Sequence, residues 1–515
     1  MLFNSHIFVF VFLPLTLGGF LLIRALGLAT GAVLWLLAAS TLFYGWWNPA
    51  YLWLLYAIML ANYGLGRLLA EAPFSEAWRR ALLVLGVGGN LAVLGWFKYA
   101  NFIVDNLNAF AGTGISLQRI TLPLAISFFI FQKIAFLVDT YRRETRPKDI
   151  LRYSLFVVFF PQLIAGPIVR FQEVAPQFEA DAVLRGRRRM GEDLALGFTI
   201  FGIGLFKKVM IADSIAQFAT PFFDAAASGT RLDLVEAWIG ATAYGLQLYF
   251  DFSGYSEMAV GLARMVGIRL PVNFWSPYKA TSVIDFWRRW HITLSRFLRD
   301  YLYIPLGGNR RGKARRYLNV LLTMALGGLW HGASWNFLVW GTLHGAYLSI
   351  NHLWRARGAT GHGGVWWRRA ATFAAVTVAW VFFRAANLPT AVAIVESMGG
   401  LNGISVPKRL AASALAKLHL FRFDGFLPHD LTPYAVRPYV VPLTLSLLLA
   451  CWLLPNTFEL TAGYRPAIMI YGGRRSASRW SWRPSPGWAA LAALVLASAI
   501  LGMGDGVSEF LYFQF

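Results

Sequence analysis

A chain of 515 residues that is 57% hydrophobic and only 14% charged lacks the polar material to coat a water-soluble globule, so lipid must face most of its surface. Its 47 Lys and Arg against 25 Asp and Glu give a net charge of +22; these residues lie between apolar spans, where they set orientation and meet anionic lipid, and no nucleic-acid partner is expected. A single cysteine, Cys451, excludes an intrachain disulfide, a clustered zinc site and a CxxC redox pair.

The apolar runs follow one another with short links, so residues 1–515 read as one membrane domain. At about 20 residues per crossing, spans are predicted near 7–27, 30–47, 50–66, 81–97, 119–139, 193–212, 234–252, 317–330, 334–353, 370–384, 437–454 and 487–503. The first reads as a transmembrane helix and not a cleaved leader, because it lacks a basic leading stretch and further spans follow directly. Arg67, Arg79 and Arg80 follow the third span, and Arg142, Arg143, Arg146, Lys148 and Arg152 follow the fifth. Both links fall in the cytoplasm if the N-terminus is outside.

The next apolar stretch, Leu155 to Ile168, conflicts with that orientation. A full crossing would carry Arg170, Arg185, Arg187, Arg188 and Arg189 to the outside, and PQLIAGP (Pro161 to Pro167) breaks a helix twice. A re-entrant element that enters and leaves on the cytoplasmic face resolves the conflict, and such backbone survives in a membrane only where protein or a water-filled cavity covers it.

Segment 281–300, TSVIDFWRRWHITLSRFLRD, has helical spacing but too much charge to cross. Trp287, Trp290, His291, Leu294 and Leu298 share one face, and Ser282 with Asp285 is spaced for a capping box. The expectation is an amphipathic helix in or under the membrane, leading into a basic cytoplasmic turn that ends at Arg316, so that 281–316 form one unit.

His331 lies in LGGLWHGASWNFLVWGTLHG, Leu326 to Gly345, where an ionisable group is expensive. Two readings stand: an imidazole satisfied by a carbonyl between packed helices, or a functional group. His344 and His352 fit the first better. For His331, Gly327, Gly328 and Gly332 leave room for ligand or backbone, and Trp330, Trp335 and Asn336 are the candidate substrate-binding residues. An imidazole away from water favours its neutral form and can take a proton from a hydroxyl, as a general base must. Other chemistries lack their residues. There is no phosphate loop, nucleophile elbow or HExxH metal motif, neither histidine has an aspartate five positions on, and Gly202 and Gly204 read as helix-packing glycines.

The strings DFWRRWHITLSRFLRDYLYIPLGGNR, Asp285 to Arg310, and GGLWHGASWNFLVWGTLHG, Gly327 to Gly345, resemble the membrane-bound O-acyltransferase family. The likeness is to its bacterial branch of alginate O-acetyltransferases and the teichoic-acid D-alanylation protein, and it covers nearly the whole chain from MLFNSHIFVFVFLPL onward. It implies an all-α polytopic fold of about 11–13 tilted helices around a narrow tunnel. The family histidine at the constriction maps onto His331, and a second family position maps onto His291. It implies further that an acyl thioester, acetyl-CoA, enters from the cytoplasm as a substrate with no bound cofactor. A hydroxyl of an exported polysaccharide such as alginate or cellulose would approach from the other side of the inner membrane, with a periplasmic or membrane-anchored acetyltransferase as partner and membrane lipid as surroundings. D-alanyl or lipid acyl transfer on the same fold is the near alternative. A transporter or flippase without chemistry is the distant one, which the broken helix also permits. Arg310 to Arg316 form either a site that attracts the phosphates of acetyl-CoA or a solvated cytoplasmic loop.

The last six residues, FLYFQF, Phe510 to Phe515, read as an aromatic interfacial anchor. Their F-x-Y-x-x-F pattern is also similar to a motif in a small protein of the D-alanylation system. That resemblance implies Tyr512 as a covalent acyl relay, deprotonated by His331.

Overall fold

Helices make up nearly all the regular structure of the computed structural model, which describes residues 1–147, 149–185, 189–358, 364–404, 440–470, 480–504 and Leu511. Among the described residues the one β pairing is an isolated bridge from Pro271 to Ile468. The first four helices are α1 (Phe8–Ala25), α2 (Ala29–Gly45), α3 (Pro49–Glu71) and α4 (Glu76–Ala111). The fourth overruns its predicted end because a wide turn, Gly95–Tyr99, carries the helix onward instead of stopping it. Gly112, at φ +61, closes α4 in a left-handed cap, so the fifth helix, α5 (Ile126–Tyr141), starts later than the predicted 119.

The re-entrant segment consists of α6 (Ile150–Val158), a break at Phe159 (ψ 107) and a single turn, α7 (Phe160–Leu163). Near the start of α6, Arg152 pairs with Glu179, which lies 16 residues beyond α7, at 3.2 Å. At the break the amide of Phe160 donates to Ser40 Oγ at 3.1 Å, which deprives the Phe156 carbonyl of its helical partner. Gln162 and Gln132 donate their side-chain amides to that carbonyl instead, at 2.6 and 3.1 Å. Broken backbone is thus covered by protein, the condition a membrane interior sets.

Two long helices follow, α8 (Met190–Ala227) and α9 (Leu234–Met265). A Cβ on Gly204 would stand 2.6 Å from the Gly254 carbonyl, and one on Gly197 would stand 2.8 Å from that of Gly261. The two backbones touch, which is the packing role expected of Gly204. Buried ion pairs lace the same seam: Arg264–Asp193 at 2.6 Å, Lys207–Glu257 at 2.6 Å and Lys208–Asp251 at 2.8 Å. Charges removed from water persist when paired in this way.

The helix expected over 281–300 is two helices, α10 (Val283–Trp287) and α11 (Ile292–Leu298), parted at His291, whose backbone is left-handed at φ +41. Extended chain from the 270s displaces the helical bonds. Trp275 N–H donates to the Arg289 carbonyl and Ile292 N–H to the Asn273 carbonyl, both at 2.9 Å. Nor does the segment lie on a lipid interface, since Trp290 is 1% and His291 0% exposed. Ser282 caps α10 by accepting the Asp285 amide at 3.2 Å, but the Asp285 carboxylate accepts from Thr281, so only half of the expected box forms.

The chain then forms α12 (Lys313–His331) and α13 (Trp335–Ala356), an antiparallel hairpin, followed by α14 (Val365–Arg384), α15 (Leu388–Met398), α16 (Val440–Leu453) and α17 (Pro486–Leu501). Of these, α15 was not anticipated, being too short for a crossing. Among the described residues, five helical stretches are long and apolar enough to cross a membrane: Phe8–Ala25, Pro49–Glu71, Glu76–Ala111, Met190–Ala227 and Val440–Tyr464.

Candidate active site

His331 is the last residue of α12 and is 5% exposed. Three aromatic rings stand edge-on around its imidazole: Trp330 at 4.9 Å, Trp340 at 5.1 Å and Phe383 at 5.3 Å between centroids. On another side lies the ring of His291, 6.4 Å away. The left-handed turn that splits α10 from α11 is what brings that second imidazole in.

His291 is fixed through a residue that sequence reasoning missed. Its Nδ1 is 3.1 Å from Oδ1 of Asn273, which is fully buried. The same oxygen accepts from the Thr293 hydroxyl at 2.9 Å. An amide oxygen can only accept, so the His291 proton sits on Nδ1 and a lone pair on Nε2. The Thr293 oxygen in turn accepts the amide of Ile168 at 3.1 Å, tying the re-entrant segment to the histidine.

Lys98 is a second missed residue. The last carbonyls of a helix lack intrahelical donors and carry the negative end of its dipole. In α12 those of Trp330 and His331 accept from Lys98 Nζ at 2.5 and 2.9 Å, and that of Leu329 accepts from the Tyr99 hydroxyl at 2.8 Å. Lys98 also reaches Ser127 Oγ at 3.3 Å. Replacing Lys98 by Met leaves two buried carbonyls unsatisfied at about 1–3 kcal/mol each. The expected result is a lower melting temperature of the solubilised protein together with a slower acyl transfer. An unchanged melting curve would show that the carbonyls find other donors.

A cavity of about 50 Å³ adjoins His331, lined by Lys98, Ser127, Ile164, Ala165 and Trp330 among others. A second, of about 20 Å³, lies against the broken helix between Gln132, Gln162 and Pro167. Phe128 lines both. The broken backbone at 159–167 therefore forms a wall of the space that His331 faces.

Of the residues singled out in the sequence, His331, His291 and Trp330 come together here. Trp335 does not: it is 45% exposed and donates to Asn106 at 2.9 Å. Asn336 ties α13 to the end of α14 by donating to the Ala385 carbonyl at 2.7 Å. Gly328 and Gly332 give room to protein and not to ligand, because a Cβ on either would stand 2.1 Å from Phe337. His344 accepts from the Trp287 indole at 3.3 Å, as a packed core histidine does. Tyr512 lies outside the described residues, as do Lys148, Arg187 and Arg188.

A protein of Helicobacter pylori named peptidoglycan O-acetyltransferase is 43% identical over 436 residues, 79% of this chain and 81% of that relative. A protein of Pseudomonas putida named probable alginate O-acetylase is 44% identical over 407 residues, covering 77% and 80%. A teichoic acid D-alanyltransferase of Streptococcus thermophilus is more distant, 27% identical over 240 residues, covering 45% and 57%. The membrane-bound O-acyltransferase profile matches residues 31–388, a span that takes in both histidines, the re-entrant segment and Lys98. With that match and these relatives, the chain belongs to the membrane-bound O-acyltransferase family and is an acyltransferase.

Proposed function

We propose that this protein transfers an acetyl group from acetyl-CoA, entering on the cytoplasmic side of the bacterial inner membrane, to a hydroxyl of an exported glycan. The observation that carries the reading is the pair of buried imidazoles, His331 and His291, 6.4 Å apart, of which His331 lines a cavity bounded by the broken helix. Such a site excludes water, which would otherwise hydrolyse an activated acyl group.

In this reading the first acceptor is the Tyr512 phenol. Its oxygen attacks the thioester carbonyl, His331 takes the phenolic proton, the carbon–sulfur bond breaks, and the proton passes to the departing CoA thiolate. A glycan hydroxyl then attacks the tyrosyl ester, His331 takes its proton, and the phenolate leaves and is reprotonated. His291, locked by Asn273 through Nδ1, stands behind His331 with its ring 6.4 Å away. Direction is supported by charge: the basic run Arg310 to Arg316 opens α12, and His331 closes it at the far end.

The relatives widen the acceptor class expected from sequence. They name peptidoglycan beside alginate, and a periplasmic partner enzyme would choose the sugar. Mass spectrometry of exopolysaccharide and cell-wall glycan from a deletion strain and its complemented parent tests this. One polymer should lose its O-acetyl esters and regain them. If every polymer keeps its acetylation, the reading fails, and loss of D-alanyl esters in place of acetyl would establish the nearest alternative.

A further inference from the structure

Asp251 sits midway along α9 with 1% of its surface exposed, and its two oxygens have different partners. Oδ1 pairs with Lys208 at 2.8 Å, and Lys208 is held in turn by Asp213 at 2.7 Å. Oδ2 accepts the main-chain amide of Leu511, 260 positions later, at 3.0 Å. Leu511 is itself buried, at 7% exposure. The side chain next to Asp251, Phe252, packs edge-on against His291 at 4.8 Å, and the two histidine rings are 6.4 Å apart. Successive residues of α9 therefore contact Leu511 and the candidate active site.

As a staple between α8 and α9, the Lys208–Asp251 pair would add little. Arg264–Asp193 and Lys207–Glu257 already bridge that seam, and an isolated buried pair is often no more stabilising than the apolar residues that could replace it. Its distinct feature is a carboxylate oxygen turned to a main-chain amide of another segment. An amide shielded from water needs such an acceptor, and a charged one is stronger than a carbonyl.

We infer that Asp251, fixed by Lys208, anchors the chain at Leu511, and so acts as a positioning residue for Tyr512, the next residue in the sequence. The catalytic half of this inference rests on the relay reading of Tyr512. The anchoring half does not. No chemistry passes through Asp251; it sets where the following side chain starts.

The test compares two double variants in the full-length protein reconstituted in lipid nanodiscs. Lys208→Met with Asp251→Leu removes the ion pair and the acceptor. Lys208→Met with Asp251→Asn removes the same ion pair but leaves an oxygen for the amide. Hydrogen exchange at Leu511, read by mass spectrometry of the peptide that contains it, should be fast in the first and remain protected in the second. Acetyl transfer should fall roughly 10- to 100-fold in the first, the range of one hydrogen bond to a charged group, and be largely restored in the second. Equal Leu511 exchange in both would overturn the anchor. Unequal exchange with equal transfer rates would overturn its positioning role. Should either double variant fail to fold, Leu511→Pro deletes the donor without touching the ion pair, and it should slow transfer with no loss of folded protein; full activity there rejects the proposal. Tyr512→Phe leaves Leu511 protected, so failure of the relay and failure of the anchor give different results.

Discussion

His331→Ala should abolish glycan O-acetylation, with transfer falling at least about 100-fold, the lower end of what a positioned general base contributes. The magnitude follows from position. His331 sits within a ring of Trp330, Trp340 and Phe383, where bulk water cannot substitute as the base, and the one other imidazole facing it, His291, is fixed through Nδ1 to Asn273. Truncation also empties space inside that cage, so a folding defect has to be separated from a chemical one. His331→Gln keeps most of the volume and one acceptor but cannot accept and return a proton at neutral pH, and it should be as inactive as the alanine variant while matching wild type in membrane level and melting temperature. Acetyl ester content per unit of membrane-inserted protein is the measurement. Full acetylation by either variant at normal protein level would remove His331 from the mechanism.

The parts of this architecture that hydropathy governs were legible in the sequence, and the parts set by tertiary hydrogen bonds were not. The break in the helix at Phe159 was readable, because Pro161 and Pro167 interrupt a helix there. The break at His291 was not, because segment 281–300 has consistent helical spacing. What splits it is pairing with residues 273–275, and Asn273, the residue that fixes the imidazole, stands in PVNFW with no local mark of its role. Lys98 did leave a signal. It is a lysine inside the apolar run GWFKYANF, and the rule that singled out His331, an ionisable group where lipid should be, applies to it equally. Trp335 was misjudged through sequence proximity. Four residues after His331 place it across a turn, at the start of α13, where its indole points to Asn106 and away from the imidazole. The glycines near His331 were correctly read as positions of close approach, but the approaching groups are Leu298 at Gly327 and Phe337 at Gly328 and Gly332.

Tyr512→Phe should eliminate a covalent intermediate as well as activity. A phenol with a pKa of about 10 gives an ester more activated than an alkyl ester, so transfer from thioester to Tyr512 and then to a sugar hydroxyl can run downhill at both steps. A direct transfer would need the bulky thioester and the glycan at one constriction at once, and the cavity beside His331, about 50 Å³, is small for both. A relay separates the two encounters in time. The neighbour of Tyr512 in sequence, Leu511, is bound to Asp251, Asp251 precedes Phe252, and Phe252 packs on His291, whose ring is 6.4 Å from that of His331. Incubating the purified protein with acetyl-CoA but no glycan should therefore add one acetyl group to the intact mass, mapped to the peptide containing Tyr512 and absent from Tyr512→Phe. His331→Gln should also lack it, because the same base serves the first step, whereas a direct mechanism predicts no adduct in any variant. If wild type and Tyr512→Phe label equally, the acyl group resides elsewhere and the relay falls, while loss of the adduct in His331→Gln with Tyr512 intact would tie both residues to a single transfer.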